Sequence, residues 1–199
     1  MTHFKTFALI VSIFFVGCGE QTATSTNSKN IEVPTTTSKN SPKILSITQE
    51  EILKAINEAR SVARDCNDGK GWTEAAQPLT WNSELYAAAY EHSNDMAESN
   101  NFSHLGSGTT FDITGSNNEK ASKFNERIKA NGYVEYRTIG ENIAGGQESI
   151  EEVLTAWLTS PAHCTNIMNN NFSEIGVAIV SNPDSEFGIY WTQNFGSKK

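Results

Sequence analysis

Ile175–Phe195, IGVAIVSNPDSEFGIYWTQNF, decides the fold class. Ile175, Val177 and Ile179 alternate with Gly176, Ala178 and Val180, the period of two that sends successive side chains to opposite faces of a strand. Asn182-Pro183-Asp184-Ser185 supplies turn chemistry, and Phe187, Ile189, Trp191, Gln193 and Phe195 resume the alternation. The stretch therefore reads as an antiparallel hairpin. Upstream the period becomes helical. Ser149-Ile150-Glu151-Glu152 is a capping box followed by Val153, Leu154, Trp157 and Leu158 on one stripe, which Pro161 ends. Thr48-Gln49-Glu50-Glu51 is a second box, and Ile52, Ala55, Ile56, Ala59, Val62 and Ala63 carry that helix to about Arg64. Asn82 caps a helix with Leu85, Ala88, Ala89, His92 and Met96 on one face. Residues 118–131 predict a third helix, with Phe124 and Ile128 inward and Gly132 after its end. An extended stretch from Ile139 to Ala144 joins the hairpin. Helices before and between the strands of a small antiparallel sheet make an α+β layered domain.

The chain has 199 residues, enough for one such domain plus a tail. Fifteen Lys and Arg against 23 Asp and Glu give a net charge of -8, which repels phosphate and excludes nucleic acid as the main partner. With 37% hydrophobic and 10% aromatic residues there is material for a core, so wholesale disorder is excluded too.

Residues 1–17 form an export address: Lys5, then an apolar run from Phe7 to Val16 interrupted by Ser12. The run is shorter than the roughly 20 residues needed to cross a bilayer. Phe15-Val16-Gly17-Cys18 resembles a bacterial lipobox, with Phe15 where Leu is usual. That resemblance implies a signal peptide of lipoprotein type and acylation of Cys18, hence attachment to the cell envelope; simple secretion is the other reading. Residues 18–46 then serve as anchor and Ser/Thr/Asn-rich tether, with a reach on the order of 30 Å, and the domain spans 47–197. If Cys18 carries lipid, two thiols are left in an oxidising setting, and Cys66 and Cys164 are expected to pair. The rival reading, a Cys-His nucleophile from adjacent His163 and Cys164, suffers because neighbouring side chains point apart.

Five motifs then stand in one order: His92-Ser93-Asn94-Asp95-Met96, Phe102-Ser103-His104, Gly140-Glu141-Asn142-Ile143-Ala144, Trp157 through His163, and Tyr190-Trp191-Thr192-Gln193-Asn194-Phe195-Gly196. Over Ile47 to Gly196 the chain resembles the bacterial branch of the CAP superfamily, the cysteine-rich secretory, antigen 5 and pathogenesis-related proteins that share the SCP domain. The resemblance implies an α-β-α sandwich with a central cleft. It also implies two His and two Glu around that cleft, the His pair binding a divalent metal in several members. Carried over by motif, these are His104, Glu141 and His163; the second Glu is replaced by Ser160.

Imidazole and carboxylate are suitable ligands for Zn2+ or another divalent metal, so His104, Glu141 and His163 form a candidate metal set. The competing reading has them hydrogen-bonding one another and water. His92, Asn142, Ser160 and Gln193 are expected around the cleft, His92 as a hydrogen-bonded core histidine, Asn142 and Gln193 as partners of buried backbone. Residues 106–118 form a polar insertion after His104, read either as a cover for the cleft or as a solvated excursion. The leading functional reading is an exported, membrane-anchored protein that binds a small molecule, lipid, protein partner or divalent metal without catalysis. The alternative is a metal-dependent hydrolase of peptides or envelope polymers, with Glu141 as ligand or base; the loss of a second carboxylate at Ser160 favours binding.

Overall fold

The computed structural model describes residues 47–199; the export address, Cys18 and the tether through residue 46 lie outside them. In chain order the elements are α1 (Gln49–Arg60), β1 (Arg64–Asp65), β2 (Trp72–Thr73), β3 (Thr80–Trp81), α2 (Ser83–Ser99), α3 (Ile113–Ser116), α4 (Phe124–Ala130), β4 (Tyr136–Gly145), α5 (Ile150–Thr159), α6 (Pro161–Ile167), β5 (Glu174–Ser181) and β6 (Ile189–Lys198). The Thr48 box and the Asn82 cap act as read, but the Ser149 box is only half formed: Ser149 Oγ accepts from the Glu152 amide at 3.2 Å, while the Glu152 carboxylate takes the Glu148 amide instead of that of Ser149. Thr48 Oγ1 accepts from the Glu51 amide at 3.2 Å while the Glu51 carboxylate accepts from the Thr48 amide at 2.8 Å. Asn82 Oδ1 accepts from the amides of Glu84 and Leu85 at 2.9 and 3.0 Å.

The four-stranded sheet runs β3-β5-β6-β4. Its centre is the expected hairpin, β5 paired with β6 from Glu174↔Gly196 to Ser181↔Ile189, and β4 lies antiparallel on the other side of β6. One edge departs from the expectation of a purely antiparallel sheet. β3 pairs with β5 in parallel, over two residues only, too few to register as a period of two. A separate two-stranded ribbon, β1 with β2, precedes it.

Alternation along the strands sorts the layers. Ile175, Val177, Trp191 and Phe195 pack with Ile52 and Ile56 of α1, Val153 and Trp157 of α5, and Cys164 and Ile167 of α6. The opposite face meets α2: Ser93 Oγ donates to Thr192 Oγ1 at 2.8 Å, and Gly176 lies directly against the Leu85–Tyr86 backbone. The result is helix, sheet, helix, as the resemblance implies. Trp157 and Trp191, both fully buried, meet edge to face with centroids 6.4 Å apart, a pairing that contributes about 1 kcal/mol beyond area burial.

Three helix boundaries differ from the sequence reading. α1 ends at Arg60, four residues early, because the buried Arg60 side chain turns inward to the carbonyls of Gln77, Ile167 and Asn169. Burial away from any carboxylate lowers its pKa to about 10. The third helix begins at Phe124 rather than 118, since Glu119 has φ 56° and the Ser122 amide is taken by the Asp112 carboxylate at 2.8 Å. Pro161 does more than stop α5. It occupies the first turn of α6, where a missing N–H costs nothing. That unforeseen helix carries both His163 and Cys164.

The Cys66–Cys164 disulfide is present, with Cα atoms 5.5 Å apart and 98 residues between them in sequence. It ties the segment between β1 and β2 to α6 and removes Cys164 as a nucleophile.

Candidate functional site

β4 is an edge strand of the sheet, so groups from both faces reach round its free side. Glu141 and Ile143 point to the α2 layer, where Ile143 packs with Met96 and Ala97; Asn142 and Ala144 point to the α5–α6 layer. The GEN segment thus presents a carboxylate to one layer and an amide to the other.

On the α2 side Glu141 is buried, with both oxygens committed. Oε1 accepts from His104 Nδ1 at 2.9 Å and Oε2 accepts from Arg127 Nη2 at 2.9 Å. Burial raises the Glu141 pKa, but the His104 hydrogen bond, the charge of His92, and the charge and hydrogen bond of Arg127 outweigh it, so the group stays below its ordinary value and ionised. Arg127, also buried, holds the site from behind: Nη2 donates to the His104 carbonyl at 3.0 Å, and Nη1 to Ser122 Oγ at 2.9 Å and the Ser122 carbonyl at 3.1 Å. His104 projects from the loop after α2 with its side chain 53% exposed.

His92 lies behind this pair, wholly buried, its Nε2 4.0 Å from Glu141 Oε1. Neither ring nitrogen makes a well-formed hydrogen bond among the described residues, although the Ser103 main chain lies close enough to act on the ring and raise its pKa. The expectation of a hydrogen-bonded core histidine is thus half met, for His92 is core but lacks a well-formed bond. Burial first, and then the nearby Arg127 and His104 charges, against the pull of Glu141, bring its pKa down to about 4.

On the other side His163, half-buried on α6, has a pKa lowered by burial and then by the charge of His104. Behind it, Asn142 Nδ2 donates to the His163 carbonyl at 3.2 Å and to Gln193 Oε1 at 2.9 Å, while Asn166 Nδ2 donates to Asn142 Oδ1 at 2.8 Å. Asn142 therefore supports backbone, the role read for it; Gln193 does not, since its side chain bonds only that of Asn142 and its Nε2 has no partner among the described residues. Ser160 sits at the α5–α6 joint, where its amide donates to the Trp157 carbonyl and its carbonyl accepts from the Cys164 amide. Its hydroxyl holds none of the cluster's polar groups.

Residues 106–118, read as a cover or a solvated excursion, are largely exposed but firmly anchored. The buried Asp112 carboxylate accepts from the amides of Gly108, Gly115 and Ser122 at 3.1, 3.0 and 2.8 Å, and Asp95 of α2 accepts from Ser107. A Cβ on Gly106 or Gly115 would fall within 2.2 Å of the Asp112 carboxylate, which is why glycine is needed at both. The insertion is thereby stapled to α2 and α4.

Arg127 and Asn166 escaped the sequence reading. Arg127 had a signal: it follows Phe124 by three residues and adjoins Ile128, on the inward stripe, where an arginine requires a buried partner. Asn166 had none.

The cysteine-rich secretory protein family, CAP, matches over residues 53–195. Among curated proteins, the uncharacterized protein YkwD of Bacillus subtilis is 32% identical over 166 residues, covering 82% of this chain and 52% of that protein. The uncharacterized membrane protein YlbC of the same organism is 29% identical over 117 residues, covering 59% and 28%. The chain thus spans about half, and about a quarter, of the length of these relatives. Among solved structures, an extracellular protein containing an SCP domain from Bacillus anthracis superposes with TM-score 0.53 and 25% identity, over 75% of this chain and 40% of that one. An outer surface protein of Borrelia burgdorferi gives TM-score 0.54 at 19% identity, over 77% and 97%, a likeness of fold alone.

Proposed function

Because the chain belongs to the cysteine-rich secretory protein (CAP) family, we propose that it is an exported, envelope-anchored binding protein whose cleft holds a divalent metal between His104 and His163 and performs no catalysis of its own. The observation that carries this reading is the double commitment of Glu141. An acceptor at His104 Nδ1 puts the proton on that nitrogen and leaves the lone pair on Nε2, the arrangement in which a carboxylate orients a metal-binding histidine. His163, held neutral by burial, offers a second imidazole. The donor set fits zinc: two nitrogens, with Glu141 orienting rather than ligating because Arg127 already occupies its second oxygen. A zinc ion there would supply Lewis acidity toward an oxygen ligand in its open positions.

The same commitment argues against the hydrolase. A general base needs reach to water and a pKa near the operating pH, and Glu141 is buried and held below its ordinary value by His104, His92 and Arg127; Ser160 stands where a second carboxylate would act. Export and anchoring are supported by the signal-type N-terminus and by relatives described as extracellular and membrane proteins.

Calorimetry and metal analysis of the full-length chain test the cleft. Zinc is expected to bind wild type and not His104→Ala/His163→Ala; equal binding, or none to wild type, overturns the metal reading. Turnover of peptide or envelope substrates that vanished in Glu141→Ala would overturn the non-enzymatic one. Palmitate labelling lost in Cys18→Ser checks the anchor.

A further inference from the structure

Two tyrosines on α2, Tyr86 and Tyr90, leave their rings outside the hydrophobic core, and Trp81 of β3, which packs against that core, adjoins them. Trp81 lies 5.7 Å from Tyr86, and Tyr86 lies 6.4 Å from Tyr90, centroid to centroid. Tyr86 and Tyr90 are 41% and 50% exposed, although the opposite face of the same helix buries Leu85, Ala88, Ala89 and Met96 completely. Tyr86 and Tyr90 form one wall of a groove of about 600 Å³, closed on the far side by the inserted α3 and the end of α4.

That far wall is built for a polar ligand. Glu91, buried at its base, accepts from the Thr114 amide and from Asn131 Nδ2, both at 2.7 Å, and so fixes the insertion against α2 and α4. Thr114 is itself buried, yet its hydroxyl has no hydrogen-bond partner, and the residue lines the groove. An unpaired buried hydroxyl carries a free-energy cost that a ligand group can relieve. Asn94 and Asn117 line the groove as well, and no lining residue is Lys or Arg.

We propose that this groove is a binding site for a neutral oligosaccharide. Flat, half-exposed aromatic faces match the apolar C–H faces of pyranose rings, while hydroxyl and amide groups match their hydroxyls; this is the mix of apolar wall and few placed polar groups by which pockets orient a ligand. Absence of a cation among the lining residues disfavours phosphate and anionic sugars, and the amide rim disfavours a fatty acyl chain. Tyr86 also lines a second groove, of about 440 Å³, together with Trp81, Val177 and Ile179, so the aromatic row joins two depressions and suits a chain of sugars rather than one. The site is separate from the His104–His163 cleft and does not depend on its metal.

The test is calorimetry and Trp81-reported fluorescence titration of the full-length chain with tetraoses of N-acetylglucosamine and of glucose. Binding of at least one tetraose is expected, weakened about tenfold or more in Tyr86→Ala and Tyr90→Ala, preserved in Tyr90→Phe, and weakened about fivefold in Thr114→Val. It should persist in His104→Ala/His163→Ala. Failure of wild type to bind either tetraose at millimolar concentration overturns the proposal, as does binding that Tyr90→Ala leaves unchanged or that palmitate displaces. Melting curves of the tyrosine variants, whose rings are half-exposed, are expected to match wild type.

Discussion

Arg127 and Glu141 are each buried, and among the described residues Glu141 is the one carboxylate bonded to Arg127, while Glu141 has the half-exposed His104 besides. Glu141→Gln keeps the shape and removes the charge, leaving the guanidinium with neutral acceptors only: the Gln amide oxygen, and the carbonyls and hydroxyl of His104 and Ser122. Removing one partner of a buried pair costs about 3–5 kcal/mol, because the survivor keeps its desolvation penalty and loses its compensation. Arg127→Met should cost a similar amount, whereas the double variant removes both charges and should fall short of the sum by about 0.5–3 kcal/mol. Against a total stability of about 5–15 kcal/mol, each single change is a large fraction and still measurable. The assay is urea unfolding followed by fluorescence of buried Trp157 and Trp191, with the disulfide intact. Linkage adds a pH signature. The folded-state pKa of Glu141 is depressed below its ordinary 4.5, so its contribution is present above that value and is lost as pH falls through the folded one. Glu141→Gln should flatten that acid limb. Single variants costing under about 1 kcal/mol, or a double variant equal to the sum, would refute the reasoning that the pair acts as a buried unit.

Three further outcomes are expected. Replacing both Cys66 and Cys164 by Ser releases a loop of 98 residues, worth about 4–5 kcal/mol in the chain-entropy model; an unchanged urea midpoint would contradict it. Gly176→Ala places a Cβ 2.1 Å from the Tyr86 amide nitrogen, a backbone atom that cannot step aside, so α2 must lift off the sheet at a cost of about 3 kcal/mol; melting at the wild-type temperature would disprove the close approach. His92 is held neutral in the fold down to about pH 4, so the unfolded chain takes up the proton first and stability should fall between its ordinary pKa of 6.5 and 4 as the solution is acidified. His92→Gln should reduce that slope, seen as urea midpoints that change less across the window, the remainder belonging to His163, whose pKa is lowered too.

The fold was legible where a period persisted over many residues. β5, β6, α2 and α5 each carry an alternation or a stripe long enough to be unambiguous, and the caps at Thr48, Asn82 and Ser149 are local chemistry that needs no tertiary context. What was missed depended on contacts between distant residues. Arg60 stops α1 by reaching carbonyls more than a hundred residues away, and residues 117–122 lose their helix to Asp112, whose three amide donors become neighbours only after the chain turns. α6 was hidden for a different reason: Pro161 signals a stop and a start with the same residue.

The candidate site was legible as residue types and not as roles. His104, Glu141 and His163 lie in segments that the motifs single out, but whether a carboxylate ligates, reacts or orients depends on what else touches it. Arg127 decides that. By taking the second oxygen of Glu141, it turns a potential base into a fixed acceptor for His104 Nδ1, and the same guanidinium grips the His104 carbonyl, so side chain and main chain of that histidine are set by one residue. The opposite histidine is placed independently, through the disulfide at Cys164 and the Asn142 bond to its carbonyl. Two rigid supports, one from each layer, therefore converge on the free edge of β4. On the binding reading proposed above, supports of this kind would hold the two imidazoles in place, while the depressed pKa of buried Glu141 would make it a weak proton acceptor near neutrality.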